Sequence, residues 1–403
     1  MTRHSNFQVP VLIARWFRRC APRCVLLWGA LSAGCDATTI PSEARELAAG
    51  VIHHEISLIE GPWAIHVIEI DLPRAWSSGV RLQVARPHPS TPGLEKTSVL
   101  ARDAIAAING DLWYRDTPGQ TLGLQITGGS LIDEPRRQSA FAITDGGKPI
   151  IAVFTAEAGL ITSSGETLSL SMFNRAPTRN ALTYYNRFAN ASHDSIKAEV
   201  GFHLVGLGKQ SVINDTVAAR VSQVRRHAWP LRLAAGEWFV AAGADYAQAN
   251  GISAGDTLRL FCLLHPATEN LQEAIGGGPR ILRDGKISIE YKQEHLGQTP
   301  ALERHPRTAV GYSKDGETLF LVTVDGRQPG YSVGMSLKEL AGFMANSLTS
   351  FSQSRKNAYQ ALNLDGGGST TMVVKQHVVN RPSDPTGQSP VANALLVTTN
   401  QDT

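Results

Sequence analysis

The stretch Tyr359-Gln360-Ala361-Leu362-Asn363-Leu364-Asp365-Gly366-Gly367-Gly368-Ser369-Thr370-Thr371-Met372-Val373-Val374 decides the reading of this 403-residue chain. A short apolar run (Tyr359, Ala361, Leu362, Leu364) leads to Asp365, and the β-branched run from Thr370 to Val374 leads away. One strand therefore delivers Asp365 to a sheet end, and another leaves from there. Three consecutive glycines weaken such a junction, because glycine loses the most backbone freedom on folding, so a ligand or a close approach has to require them. Gly366, Gly367 and Gly368 let backbone N–H groups converge on an anion, and Ser369, Thr370 and Thr371 add hydroxyls. The bland alternative is a tight turn at a sheet edge. Asn363 and Asp365 in front of the glycines and three hydroxyls behind them favour a site. No Lys follows, which excludes a nucleotide-binding P-loop.

Working outward, the composition is that of an ordinary globular protein, 42% hydrophobic and 18% charged. The first 35 residues contain Arg3, Arg15, Arg18, Arg19 and Arg23 and no acidic side chain. Without those arginines the formal net charge of +3 becomes neutral to slightly acidic, which argues against a nucleic-acid partner. The apolar run Cys24 to Cys35 is too short to span a membrane and reads as an export signal. Its end, Leu31-Ser32-Ala33-Gly34-Cys35, resembles a bacterial lipobox with Cys35 as the lipidation site, although Ser32 stands where Leu is usual. The expectation is an exported protein facing the periplasm or cell exterior, with membrane association through a lipid anchor at most. Residues 36–60 read as a tether containing a short helical pattern from Glu43 to Ala49, and 61–403 as one domain. Outside the leader Cys262 is the only thiol, set in an apolar run, and reads as core.

Within the domain, Ile65 to Leu72 and Val80 to Ala85 alternate at period two and read as an early pair of strands. Runs between Leu122 and Phe154, separated by Gly-Gly and Asp-Gly turns, predict a meander. Residues 166–264 carry alternating strands and little chemistry. Ser336-Leu337-Lys338-Glu339 is a capping box opening a helix to about residue 349, whose apolar stripe makes Met335 and Met344 core residues. The fold class expected is α+β: a β-rich single domain of mixed or antiparallel sheet with a few packed helices.

Four further blocks are rich in chemistry: Ile108-Asn109-Gly110-Asp111 followed by Leu112-Trp113-Tyr114, Gly276-Gly277-Gly278-Pro279 followed by Asp284-Gly285, Arg304-His305-Pro306-Arg307-Thr308-Ala309, and Val324-Asp325-Gly326-Arg327. Taken alone, Asn-Gly is also a hairpin signal and a triple glycine also a bend. Together with Asn363 to Met372, and in this order, the blocks resemble the phosphodiester glycosidase family over roughly residues 60–400. Where family members often have Gly-Phe-Phe, this chain has Asp111-Leu112-Trp113.

The resemblance implies hydrolysis of a sugar-1-phosphodiester such as an N-acetylglucosamine-1-phosphodiester. The carbohydrate phosphodiester is then the expected partner, with no cofactor and no metal. Such a reaction passes through an oxocarbenium-like transition state that carboxylates stabilise, and its phosphate leaving group is held by cations and N–H donors. On that basis Asp365, Asp325 and Asp111 are the candidate catalytic carboxylates. Arg307 and Arg327 are the candidate phosphate clamps, because a guanidinium fork matches phosphate oxygens. Asn109, Gly277, Gly278, Asn363, Gly366, Gly367, Gly368, Ser369 and Thr370 complete the expected substrate-binding set. A non-catalytic polysaccharide-binding protein and an exopolysaccharide-processing transferase are the alternative readings of the same cleft.

Overall fold

The computed structural model describes residues 43–88, 93–175, 178–189, 200–209, 211–226, 233–243, 245–246, 251–267 and 269–399. The segment read as an export signal, Cys35 and the start of the expected tether lie outside them. The described chain is built from three open sheets and one closed barrel, β-rich as expected and with fewer helical residues than the α+β label implies.

The largest sheet runs in the order Glu43–Ala48, Val51–Leu58, Trp63–Asp71, Thr318–Val324, Arg307–Tyr312, Gln360–Asn363, Arg280–Arg283, Lys286–Ile287, antiparallel throughout. Its central strand Thr318–Val324 is buried at every position, which is why it reads as a continuous apolar run rather than an alternating one. One face packs Ile65, Val67, Phe320 and Val322 against Leu337, Leu340 and Met344 of the helical segment. Burying each such side chain contributes about 1.5–3 kcal/mol. That segment starts as predicted, with Ser336 Oγ accepting from the Glu339 N–H and Glu339 Oε2 accepting from the Ser336 N–H at 2.8 Å. It is α-helical over Leu337–Gly342, π-helical over Phe343–Ser347 and 3-10 over Leu348–Ser350. Met335 and Met344 are both fully buried.

The opposite face packs Ile68, Ile70, Val310, Leu321 and Leu362 against two smaller sheets. One has the order His377–Val378, Met372–Val374, Ala106–Asn109, Ala394–Thr399, Val80–Ala85; the other Ser130–Asp133, Gln125–Thr127, Leu271–Gly276, Ser139–Thr144, Pro149–Val153. The seven-stranded barrel uses strands between Thr155 and His265 and encloses a core that includes Phe202, Leu260 and Cys262. Burial pushes the Cys262 thiol up to about 12, consistent with core packing.

Three sequence expectations need correction. Residues 43–58, read as a tether with a helical turn, are the edge strand Glu43–Ala48 and its neighbour Val51–Leu58, paired through registers such as Glu43 with Glu55. Trp63–Asp71 and Val80–Ala85 are strands but not a pair, because the helix Leu72–Ser77 carries the chain from one sheet to another. The meander is interrupted, since Leu271–Gly276 inserts between Gln125–Thr127 and Ser139–Thr144.

Candidate active site

The ends of the three open sheets meet where Asn109, Gly276 and Asn363 finish their strands. Asn109 is fully buried and knits this junction. Its Nδ2 donates to the Asp365 carbonyl at 2.7 Å, while its Oδ1 accepts from the Thr308 hydroxyl at 2.7 Å and the Thr371 N–H at 3.0 Å. The Asp365 N–H donates back to the Gly110 carbonyl at 2.9 Å. Asn109 is thus a strut that fixes the Asp365 backbone; fully buried, it does not present its amide for the sugar contact expected of it. Asp365 keeps part of its surface open. Burial pushes its carboxyl up to about 6, against the opposing pull of the Ser369 hydroxyl and the Gly366 N–H.

Asp111 is 1% exposed. Its Oδ2 accepts from the Gly123 N–H at 2.7 Å, and its own N–H donates to Asn393 Oδ1 at 2.8 Å. Burial pushes this carboxyl up to about 7, with the charges of Asp365 and Asp133 adding to the rise. The site therefore holds two neighbouring carboxyls that keep protons to unusually high pH. The first glycine of the other triplet has its explanation here: a Cβ on Gly276 would lie 2.3 Å from Asp111 Oδ2. Gly277 and Gly278 run beside the Asp365 strand, with the Gly278 N–H donating to the Asn363 carbonyl at 2.8 Å. Asn363 Nδ2 donates to the Gly278 and Leu364 carbonyls at 2.9 and 2.8 Å. These three residues lace the two glycine segments together.

The cations divide. Arg307 is buried, and its guanidinium donates to the Met335, Pro300 and Glu303 carbonyls at 2.7, 2.6 and 2.7 Å. With Nε and Nη2 committed to main-chain oxygens, it anchors the 300–307 segment rather than clamping phosphate. Arg307→Lys is expected to lower stability by about 2–4 kcal/mol in denaturant titration, because an ammonium cannot reach three divergent carbonyls. Arg327 is exposed, and the atoms nearest a Cβ on Gly367 would be its guanidinium nitrogens at 3.1 and 3.2 Å. It is the arginine at the glycine loop.

Asp325 sits in a network of donors. It is 1% exposed, and its carboxylate accepts from Asn380 Nδ2 at 2.8 Å, the Arg381 N–H at 2.8 Å and the Tyr331 hydroxyl at 3.1 Å. Asn380 in turn accepts from the Met372 N–H and donates to the Thr370 carbonyl. Asp325 therefore holds the segment beneath the glycine loop. Thr370 is itself buried. Nor do the loop amides all open outward: the Gly367 N–H donates to the Pro306 carbonyl at 3.0 Å, and the Gly366 N–H serves Asp365.

Residues 212–398 match the family model described as phosphodiester glycosidase. Over those residues the chain is similar to the phosphodiester glycosidase family. Two curated relatives are N-acetylglucosamine-1-phosphodiester alpha-N-acetylglucosaminidases. The Bos taurus protein is 32% identical over 29% of this chain and 22% of its own length, and that of Mus musculus 29% identical over 28% and 21%. The chain thus spans about a fifth of the length of the curated relatives it matches. Two solved structures share the fold. A hypothetical protein from Synechocystis has a TM-score of 0.66 at 21% identity, over 90% of this chain and 64% of its own. A Burkholderia pseudomallei protein provisionally named as exported has a TM-score of 0.63 at 18% identity, over 94% and 100%.

The residues that match the family model contain Gly276, Arg327 and Asp365, whereas Asn109 and Asp111 precede them. Sequence reasoning missed several groups at the same junction. Asn393 positions the Asp111 N–H, and Asn380 supports Thr370. Asp384 and Ser389 stand over Gly368, where a Cβ would meet Ser389 Oγ at 2.6 Å. The Ser389 hydroxyl, bonded to Asp384 at 2.7 Å, holds that carboxyl below the usual carboxylate range. The available signal was the polar, proline-punctuated segment Asn380 to Pro390 just before the last strand.

Proposed function

We propose that this chain hydrolyses the bond between a sugar anomeric carbon and phosphate in a glycosyl-1-phosphodiester of the N-acetylglucosamine-1-phosphodiester kind. The observation that carries this reading is the meeting of Asp111 and Asp365 from two sheets beside a glycine loop overlain by Arg327. The family match and the names of the curated relatives support it. The two carboxyls titrate as a coupled pair, and the more deeply buried Asp111 keeps its proton to the higher pH. Asp365, ionised first, stabilises positive charge at the anomeric carbon and takes a proton from the attacking water. Asp111 gives its proton to the departing phosphate oxygen, while Arg327 binds the non-bridging oxygens. Water supplies the new hydroxyl at the anomeric carbon; free sugar and a phosphomonoester leave.

The arginine-rich, apolar N-terminal sequence and the name of the Burkholderia pseudomallei neighbour support an exported protein at a bacterial cell envelope, with Cys35 as its lipid attachment. No helix among the described residues is long and apolar enough to cross a membrane. The deciding experiment offers the protein a panel of sugar-1-phosphodiesters and follows free sugar. Release is expected for at least one N-acetylhexosamine member; a folded protein that releases none overturns the proposal.

A further inference from the structure

We propose that His305 is a positioning residue, a neutral hydrogen-bond acceptor that holds the Arg327 guanidinium in one orientation over the glycine loop. This inference rests on Arg327 being the phosphate contact. Arg327 adopts a φ of +60°, a left-handed conformation unfavourable for a side chain with a Cβ, at the end of the central strand Thr318–Val324. Its Nη2 lies 3.2 Å from His305 Nδ1. A guanidinium is always protonated and offers no lone pair, so Nδ1 must be the acceptor. That assignment places the imidazole proton on Nε2, which lies 3.3 Å from Glu303 Oε2. Glu303, His305 and Arg327 therefore form a directional chain in which each donor has its acceptor.

The ring stands on fixed backbone. His305 exchanges both main-chain hydrogen bonds with Met335, at 3.2 and 3.0 Å, and Gly334 packs so closely that a Cβ there would lie 2.4 Å from the His305 carbonyl. The next residue, Pro306, accepts from the Gly367 N–H. The loop and the histidine that orients its arginine thus share one anchor. Burial and the charges of Arg307 and Arg327 lower the affinity of His305 for a second proton, opposed by Glu303. The neutral acceptor form is thereby favoured. A guanidinium pinned through one N–H keeps its remaining donors in a set plane, which suits two phosphate oxygens and not a single point acceptor.

The test compares His305→Ala, His305→Asn and Arg327→Lys with the parent, following KM and kcat on a cleaved sugar-1-phosphodiester and, separately, the affinity for inorganic phosphate. His305→Ala is expected to raise KM and weaken phosphate binding about tenfold, with kcat changed far less, as loss of one charge-assisted ordering contact. Asparagine, whose carbonyl replaces the Nδ1 acceptor, should recover most of that loss. In an Arg327→Lys background, His305→Ala should add nothing, because the ammonium has no fork to orient. An unchanged KM and phosphate affinity in His305→Ala, or an equal loss in the lysine background, would sink the inference while leaving hydrolysis standing. Phosphate binding that needs Arg327 and His305 without turnover of any sugar-1-phosphodiester would support the inference and overturn the hydrolase reading. Neither binding nor turnover by the folded parent would overturn both.

Discussion

Asp365→Asn is expected to lower kcat by about a thousandfold, and Asp111→Asn by about a hundredfold or more, the range for loss of a positioned acid or base. Both variants should fold. Their stability should also change in a direction that an ordinary surface aspartate would not produce. In the unfolded chain each carboxyl titrates at its ordinary value near 3.8, but in the fold Asp365 releases its proton at about 6 and Asp111 at about 7. Between those limits the fold binds more protons than the unfolded chain, so stability falls as pH rises from about 4 to about 7. For Asp111 alone the dependence amounts to about 4 kcal/mol as an upper bound. Asparagine carries no charge to bury. Both variants should therefore melt above the parent at pH 8 and close to it at pH 4. The parent's kcat/KM should rise as Asp365 ionises near pH 6 and decline as Asp111 loses its proton near pH 7. Retained turnover in Asp365→Asn, or variants that melt below the parent at pH 8, would count against this pair.

Gly276→Ala is expected to cost about 3 kcal/mol in a denaturant titration and to remove most activity, through overpacking against fixed atoms. The added Cβ would stand 2.3 Å from Asp111 Oδ2 and 2.7 Å from the Gly123 Cα. Neither can withdraw easily, because the Gly123 N–H and the Asp111 carboxyl are bonded to each other. Gly276 is also paired with Ala140 in the sheet, so relief requires opening the ladder. Gly342→Ala is the matched control: it has nothing within 4 Å of its Cβ position and sits at the end of a helical turn. That variant should be neutral or stabilised by up to about 1 kcal/mol. Equal behaviour of the two would show that the Gly276 contact is softer than its geometry implies.

The strands Trp63–Asp71, Thr318–Val324 and Gln360–Asn363 of the large sheet, the capping-box helix and both glycine triplets were legible, because alternation, capping and glycine density are local properties. Partnership was not. Val80–Ala85 shows itself as a strand, but nothing in its alternation says that Ala394–Thr399 lies beside it. Glu43–Ala48 is written in good helix formers, and its pairing at a sheet edge overrides that weak preference. Within the site, residue type identified the right neighbourhood but not the task. A guanidinium fork suits phosphate oxygens and three main-chain carbonyls equally, and only the fold assigns Arg307 to the carbonyls and leaves Arg327 facing the loop. Asp325 and Asp365 both follow a strand and both accept hydrogen bonds, yet Asp325 is buried and Asp365 keeps part of its surface open. Asp384 lies in an aperiodic turn, where only the polar, proline-punctuated composition points to it.

The sheet containing Leu271–Gly276 has apolar side chains on both faces. Ile126, Ala140, Ala142 and Ala274 belong to the barrel's core, whereas Phe141, Ile143, Ile151 and Ile275 belong to the core beneath the large sheet. It is a party wall between two interiors. The barrel cannot melt without stripping the cover from one side of that wall, and the wall carries Gly276 against Asp111. Loss of one interior is therefore expected to destabilise the other, so that both unfold in one transition in calorimetry. Through that wall, the strands between Thr155 and His265 bear on the packing around Asp111.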